Sequence, residues 1–227
     1  MAAFFLQVPK ERSSRPERPL VQCCRQAARS MNEVLLKRSA PAKQSMTMNP
    51  IILLEQYYDS NSKAFKILVE HGRKVAKKAR KAAKKVSGLK PDLEFIEAAA
   101  MLHDIGIFLT DTPQFGCFGK HPYICHGILG SDLLKEKGHF ELALVCERHV
   151  GVGISIEDIQ RHNLPLPERD MIPISIEEQI ICYADKFFSK NGNGRPAEKP
   201  IPEIIENLSR YGPDKARRFE SWVQMFK

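Results

Sequence analysis

A chain of 227 residues with 43% hydrophobic and 27% charged content has the make-up of a globular protein with one sizeable core. No apolar run approaches the ~20 residues that span a bilayer, so no membrane association is expected. The six cysteines contain no Cys-x-x-Cys pair, which fits reduced thiols and a cytoplasmic protein better than a disulfide framework.

The net charge of +8 is unevenly spread. Residues 1–47 hold nine Lys or Arg against three Glu, with Pro9, Pro16, Pro19 and Pro41 and few periodic apolar positions, and read as a disordered basic tail. The opening apolar run is too short for a signal peptide, and Glu11 and Glu17 argue against a transit peptide. Met46 and Met48 precede the first good helix, so a natural start there, with a dispensable tail, is expected.

From residue 50 onward the periodicity is helical. Ile51, Leu54 and Tyr58 mark a short helix. A long one follows through Phe65, Leu68, Gly72, Val75, Ala79, Ala82 and Val86, stopping near Ser87 and Gly88, with His71 on its apolar face. Its other face carries Arg73, Lys74, Lys77, Lys78, Arg80, Lys81, Lys84 and Lys85. This stripe over residues 73–85 suits either a solvated surface or contact with nucleic acid.

Pro91 and Asp92 open a helix that ends at His103 and Asp104, with Gly106 as its expected terminator. The loop Thr110 to Lys120 reads as a cap over a pocket, and its residues Gln114 to Lys120 as an influence on substrate choice. Helix Pro122 to Lys137 carries His126 beside Gly127 and Gly130, which imply close packing or room for a ligand. The next helix runs from Phe140 to His149. Ser155 with Asp158 and Ser175 with Glu178 form capping-box patterns. The second opens a helix that puts Asp185 on an apolar face, where a carboxylate needs a partner or a cation. Residues 191–200 read as a linker, followed by helices near 202–210 and 213–226 that pack back on the body. No strand alternation is evident, so the fold is all-α.

Five helices thus bring inward His71, His103 with Asp104, His126, His149 and Asp185. Four imidazoles and two carboxylates suit first-row ions such as Fe, Mn, Co, Ni or Zn. They exceed one tetrahedral zinc site, so two divalent ions are expected. Asp104 is the natural bridge, with His71, His103 and Asp185 around one ion and His126 and His149 around the other.

This ordered set resembles the HD-domain metal-dependent phosphohydrolase superfamily. His103 to Gly106 matches its His-Asp-Ile-Gly variety. His126 to Leu134 is similar to the His-x-x-x-Gly-x-x-Leu-Leu element of binuclear members, and Tyr183 to Lys186 is a further match. The resemblance implies a compact multi-helix HD-domain bundle over residues 48–190, a C-terminal extension over 191–227, and one or two metals that activate water against a phosphoester. It carries over His71, His103, Asp104, His126, His149 and Asp185 as ligands. Ile107 and Ile67, and the absence of a Gly-Tyr-Pro element, set the chain apart from trinuclear members and those that cleave cyclic dinucleotides.

The expected activity is therefore hydrolysis of a phosphomonoester or phosphodiester, most simply of a nucleotide. Asp104 would orient the nucleophile, with Lys186 and Arg148 as phosphate clamps. A di-iron oxygenase of the same superfamily and a metal-dependent nucleotide- or RNA-binding regulatory module are the competing readings. His121 matches no ligand position, and His139 and His162 read as surface residues.

Overall fold

Helix starts are written into the chain as side chains that accept the first free backbone N–H groups. Asn49 caps Ile51, Ser62 caps Phe65 and Asp92 caps Phe95, each at 3.0–3.1 Å. These caps open α1 (Pro50–Glu55), α2 (Lys63–Lys85) and α3 (Leu93–Leu102) in a computed structural model that describes residues 49–190 and 198–227. The expectations for the tail over 1–47 and for most of the linker lie outside the described residues. Next come α4 (His126–Glu136), α5 (Phe140–Arg148), α6 (Ile156–Arg161), α7 (Ile176–Asp185), α8 (Ile201–Ser209) and α9 (Pro213–Phe226). No helix among the described residues is long and apolar enough to cross a membrane.

The long helix α2 packs against α3, α7 and α9, while α4 lies on α5. Ala79, Ala82 and Ala83 of α2 are buried, and their small side chains let its neighbours approach closely. The two C-terminal helices pack back on the body. Phe219 is fully buried against Tyr183 and Phe187, and Trp222 Nε1 donates to Gln179 Oε1 at 3.1 Å. Removing such a ring from water stabilises by about 1.5–3 kcal/mol. A smaller cluster of Ile128, Val150, Ile159, Leu166 and Met171 fills the space beside α6.

The strand-free expectation is corrected in one place. Asp111–Thr112 and Cys117–Phe118 pair antiparallel around a 3₁₀ turn at Pro113–Phe115. Two residues per strand are too few for alternation to register in the sequence. This hairpin buttresses rather than hangs free: Phe115 meets Tyr123, whose ring stacks on His126 with centroids 4.4 Å apart.

Gly106 is also read differently from structure. Helix α3 ends at Leu102, and Gly106 lies inside the following 3₁₀ turn Ile105–Leu109. A Cβ there would sit 2.3 Å from His126 O and 2.4 Å from Gly130 N, so the residue is small because α4 crosses against it. Gly127 does the same against Cys146 O, which decides for close packing at that pair of glycines. Of the two capping boxes, Ser155 and Asp158 form the reciprocal pair. Ser175 caps Glu178 N, but the Glu178 carboxylate turns away to Ile174 N and Arg148.

Candidate metal centre

Three of the four inward histidines sit where a helical segment ends: His103 after α3, His149 after α5, and His126 after the 3₁₀ turn Tyr123–Cys125. Each ring reaches the carbonyl three residues back, which at Tyr123 also accepts the His126 N–H. His103 Nδ1 meets Ala100 O at 2.8 Å, His126 Nδ1 meets Tyr123 O at 2.6 Å, and His149 Nδ1 meets Cys146 O at 2.8 Å. A carbonyl only accepts, so each Nδ1 carries a proton and each Nε2, the nitrogen left for a cation, points inward. His71, in mid-helix, has no such carbonyl, and its Nδ1 is buried without a partner.

These Nε2 atoms converge on Asp104. Its Oδ1 is 3.3 Å from both His126 Nε2 and His149 Nε2, which are 3.1 Å from each other. Its Oδ2 is 3.0 Å from His103 Nε2 and 3.5 Å from His71 Nε2. Asp185 Oδ1 completes that side at 2.9 Å from His71 Nε2 and 3.5 Å from His103 Nε2. All six residues are at most 4% exposed, so bulk solvent does not reach them. Two groups, His71 with His103 and Asp104, and Asp104 with His126 and His149, could each hold a cation and share Asp104.

These donors fit a first-row ion. At bonds of ~2.1 Å, neighbouring ligand atoms lie ~3.0 Å apart at right angles and ~3.4 Å apart in a tetrahedron. The observed separations cluster about those values. His103 Nε2 and both Asp104 oxygens are buried without a well-directed hydrogen bond, although Lys190 Nζ makes an ion pair with Asp104 Oδ2 at 2.8 Å. Such orphaned acceptors are costly in a folded interior unless a cation satisfies them.

Charge within the cluster is set by burial against partners. Burial pushes the His149 imidazole down to about 3 and, with Lys190 nearby, His71 to about 4, so both rings stay neutral. Burial opposes charge on His103 as well, but Asp104 and Asp185 lift it to about 9. Despite burial, His103 and Lys190 hold Asp104, and Lys186 and Lys190 hold Asp185, well below the usual carboxylate range.

Lys186 Nζ lies 2.8 Å from Asp185 Oδ2, at the edge of the cluster. Arg148, the other expected clamp, instead donates through Nη1 to both Glu178 oxygens at 3.0 Å and ties α5 to α7. Its charge is already matched. Sequence reasoning missed Lys190 and Tyr123. Lys190 follows the end of α7 without periodicity to mark its direction, whereas Tyr123 lies three residues before His126, a spacing that signals ring contact. His121 bridges to Thr110 through the backbone, and His139 and His162 are partly exposed and outside the cluster.

The family described as HD domain matches residues 68–189, more than half of the chain. The chain belongs to the HD-domain family. That range contains every histidine and aspartate of the cluster, within a superfamily of metal-dependent hydrolases. Among curated relatives, an uncharacterized protein of Methanocaldococcus jannaschii, MJ0778, is 36% identical over 53% of this chain and 65% of its own length. Two proteins named tRNA (cytidine(56)-2'-O)-methyltransferase also match this HD-domain chain. The one from Thermoplasma volcanium is 30% identical over 66% of the chain and 38% of its own length. That from Picrophilus torridus is 36% identical over 43% and 25%. The chain thus spans less than two thirds of the length of these relatives. No solved structure gives a significant match.

Proposed function

We propose that this HD-domain protein hydrolyses a phosphomonoester or phosphodiester of a nucleotide or nucleotide-derived substrate. The observation that carries the reading is the sharing of Asp104 between two buried donor sets, one on each carboxylate oxygen. His71, His103 and Asp185 would complete one cation position, and His126 and His149 the other. Divalent ions held there supply Lewis acidity toward phosphate oxygens and a water acidic enough to attack at neutral pH.

The remaining chemistry belongs to the chain. Main-chain carbonyls at residues 100, 123 and 146 lock three imidazoles in one tautomer, so no reorganisation is needed at the moment of reaction. The Cys182 thiol, pushed up to about 12 by burial, stays protonated and donates to His149 O at 3.4 Å, fixing the end of α5 behind its ligand. Lys190 brings an ammonium group to Asp104 Oδ2, and Lys186 brings one to the outer oxygen of Asp185. A substrate phosphate entering there meets both positive charges.

The test is a screen of nucleoside mono-, di- and cyclic phosphates with Mn, Co, Ni, Fe and Zn, measuring product by chromatography. The tRNA-directed names of two relatives favour including short RNAs with terminal phosphates. Activity is expected with at least one metal and absent from Asp104→Ala. An equally active Asp104→Ala protein overturns the reading, and oxygen uptake with iron but no phosphoester cleavage transfers it to the di-iron oxygenase class.

A further inference from the structure

Outside the metal cluster, the strongest unexplained feature is the outer face of α2. Residues 71–90 contain nine Lys or Arg and no Asp or Glu. Neighbours of like charge recur four residues apart at 73 and 77, 74 and 78, 77 and 81, 80 and 84, and 81 and 85. Such pairs destabilise a helix, and the one acidic residue within it, Glu70, offsets a single lysine. Other contacts relieve only some. Lys74 pairs with Glu70 at 2.6 Å, Arg80 pairs with Glu97 at 2.7 Å, and Lys78 lies over the Phe187 ring and beside Glu198. Arg73, Lys77, Lys81, Lys84 and Lys85 are exposed, with no ion pair among the described residues. At 1.5 Å per residue they form a positive ridge of about 18 Å.

The ridge does not stand alone. At its N-terminal end a groove is lined by Phe65, Lys66, Val69, Glu70, Arg73 and Lys77. The stripe itself has no aromatic residue, but the fold sets one beside it. The half-buried Phe65 ring is the aromatic surface of this groove, and Arg73 and Lys77 line it toward the end from which the ridge continues. An aromatic platform joined to a basic track is the general solution for holding a single strand without reading its sequence. Glu70 is the one carboxylate in the groove, and Lys74 neutralises it. Its oxygens are acceptors for a ribose hydroxyl, a group that DNA lacks.

We infer that the α2 groove and ridge form a docking surface for single-stranded RNA, with a base against Phe65 and successive phosphates along Arg73, Lys77, Lys81 and Lys84. The interface lies on the face of α2 opposite His71. It is independent of the reaction at the metal cluster, so its test requires binding and no turnover.

The experiment is fluorescence anisotropy of the full chain with a labelled mixed-sequence 12-nucleotide RNA across a series of KCl concentrations. A Lys77→Ala/Lys81→Ala/Lys84→Ala protein should bind at least tenfold more weakly. Its plot of log affinity against log salt should be shallower by about 2, at ~0.7 for each phosphate that is no longer neutralised. Alanine favours helix, and unchanged circular dichroism would show that the triple variant keeps its fold. Phe65→Ala should weaken binding at an unchanged salt slope. Glu70→Gln, which keeps an acceptor, should bind as wild type, while DNA of the same sequence should bind wild type more weakly than RNA. The inference is overturned if the triple variant binds RNA like wild type. It is equally overturned if anionic phosphatidylserine vesicles capture the protein while RNA does not, or if DNA binds as tightly as RNA.

Discussion

His126 and His149 turn their Nε2 atoms toward one another at 3.1 Å, and each ring's opposite nitrogen is committed to a main-chain carbonyl. With both Nδ1 atoms donating, two lone pairs face each other beside the Asp104 carboxylate. That arrangement is stable only around a positive charge. Removing divalent ions with a chelator should therefore lower stability. An ion present at a hundred times its dissociation constant contributes about 2.7 kcal/mol. For a protein of this size that is a fall in Tm of about 5–10 °C, reversed by adding metal back. A melting curve indifferent to chelation argues against resident cations.

The two donor sets predict unequal losses. His149→Ala removes a donor from one set only, so elemental analysis should find metal falling from about two ions per chain toward one, whereas Asp104→Ala, which strips both sets, should bring it near zero. Retention of two ions in His149→Ala would falsify the division of ligands between sites.

Why so much of this centre was legible in the sequence, and some of it not, follows from periodicity. His71, His126, His149 and Asp185 lie at helical spacings from apolar residues, so their inward direction could be read one helix at a time. Their convergence needed the order of the whole set, and His103, His126 and His149 are held by the same ring-to-carbonyl contact, which is a backbone property invisible to side-chain patterns. For Arg148, adjacency to a ligand says nothing about where the side chain points, and its guanidinium is held by Glu178. Lys190 was missed since it follows the helix end, where periodicity stops. Gly106 carried a correct signal with the wrong cause: a small residue was required, but for the crossing of α4 rather than for a turn.

That crossing gives a sharp test. Gly106→Ala places a methyl group within 2.4 Å of the backbone of α4, where no flexible side chain can give way. Overpacking of this kind costs about 1–3 kcal/mol or more. The strained segment joins Asp104 to the turn that Tyr58 pins through Ile105 O and Phe108 N. The variant should melt several degrees lower and bind metal more weakly. Gly88→Ala, with open space around its Cβ, should do neither.

Lys190 faces the cluster from outside the proposed ligand set. If its ammonium receives a substrate phosphate, Lys190→Met should lower kcat/KM by about 10- to 100-fold, equivalent to about 1.4–2.7 kcal/mol of transition-state stabilisation. Metal content should stay at the wild-type level, which separates a substrate role from a structural one. Loss of bound metal in this variant would assign Lys190 to the integrity of the site instead.

Far from the centre, Asp158 joins α6 to α9. Its Oδ2 accepts from Ser155 N at 2.9 Å and pairs with Lys215 Nζ. Burial disfavours its charge, but Lys215 and the Ser155 N–H outweigh burial and hold the carboxyl below its ordinary value. A lowered folded-state value means that the contribution is complete above the unfolded value of ~3.9 and is lost as pH falls through the folded one. Asp158→Asn keeps an acceptor for Ser155 N and removes only the charge. The variant should lose about 1 kcal/mol at neutral pH, a modest figure because the pair is partly solvated and Lys215 retains Asp214 at 2.8 Å. Between pH 7 and about 5 the gap in denaturation midpoint should be constant, and below about pH 4 it should close as wild-type Asp158 takes up a proton. A gap that persists undiminished at pH 3 would assign the loss to altered packing at the α6–α9 contact rather than to the ion pair.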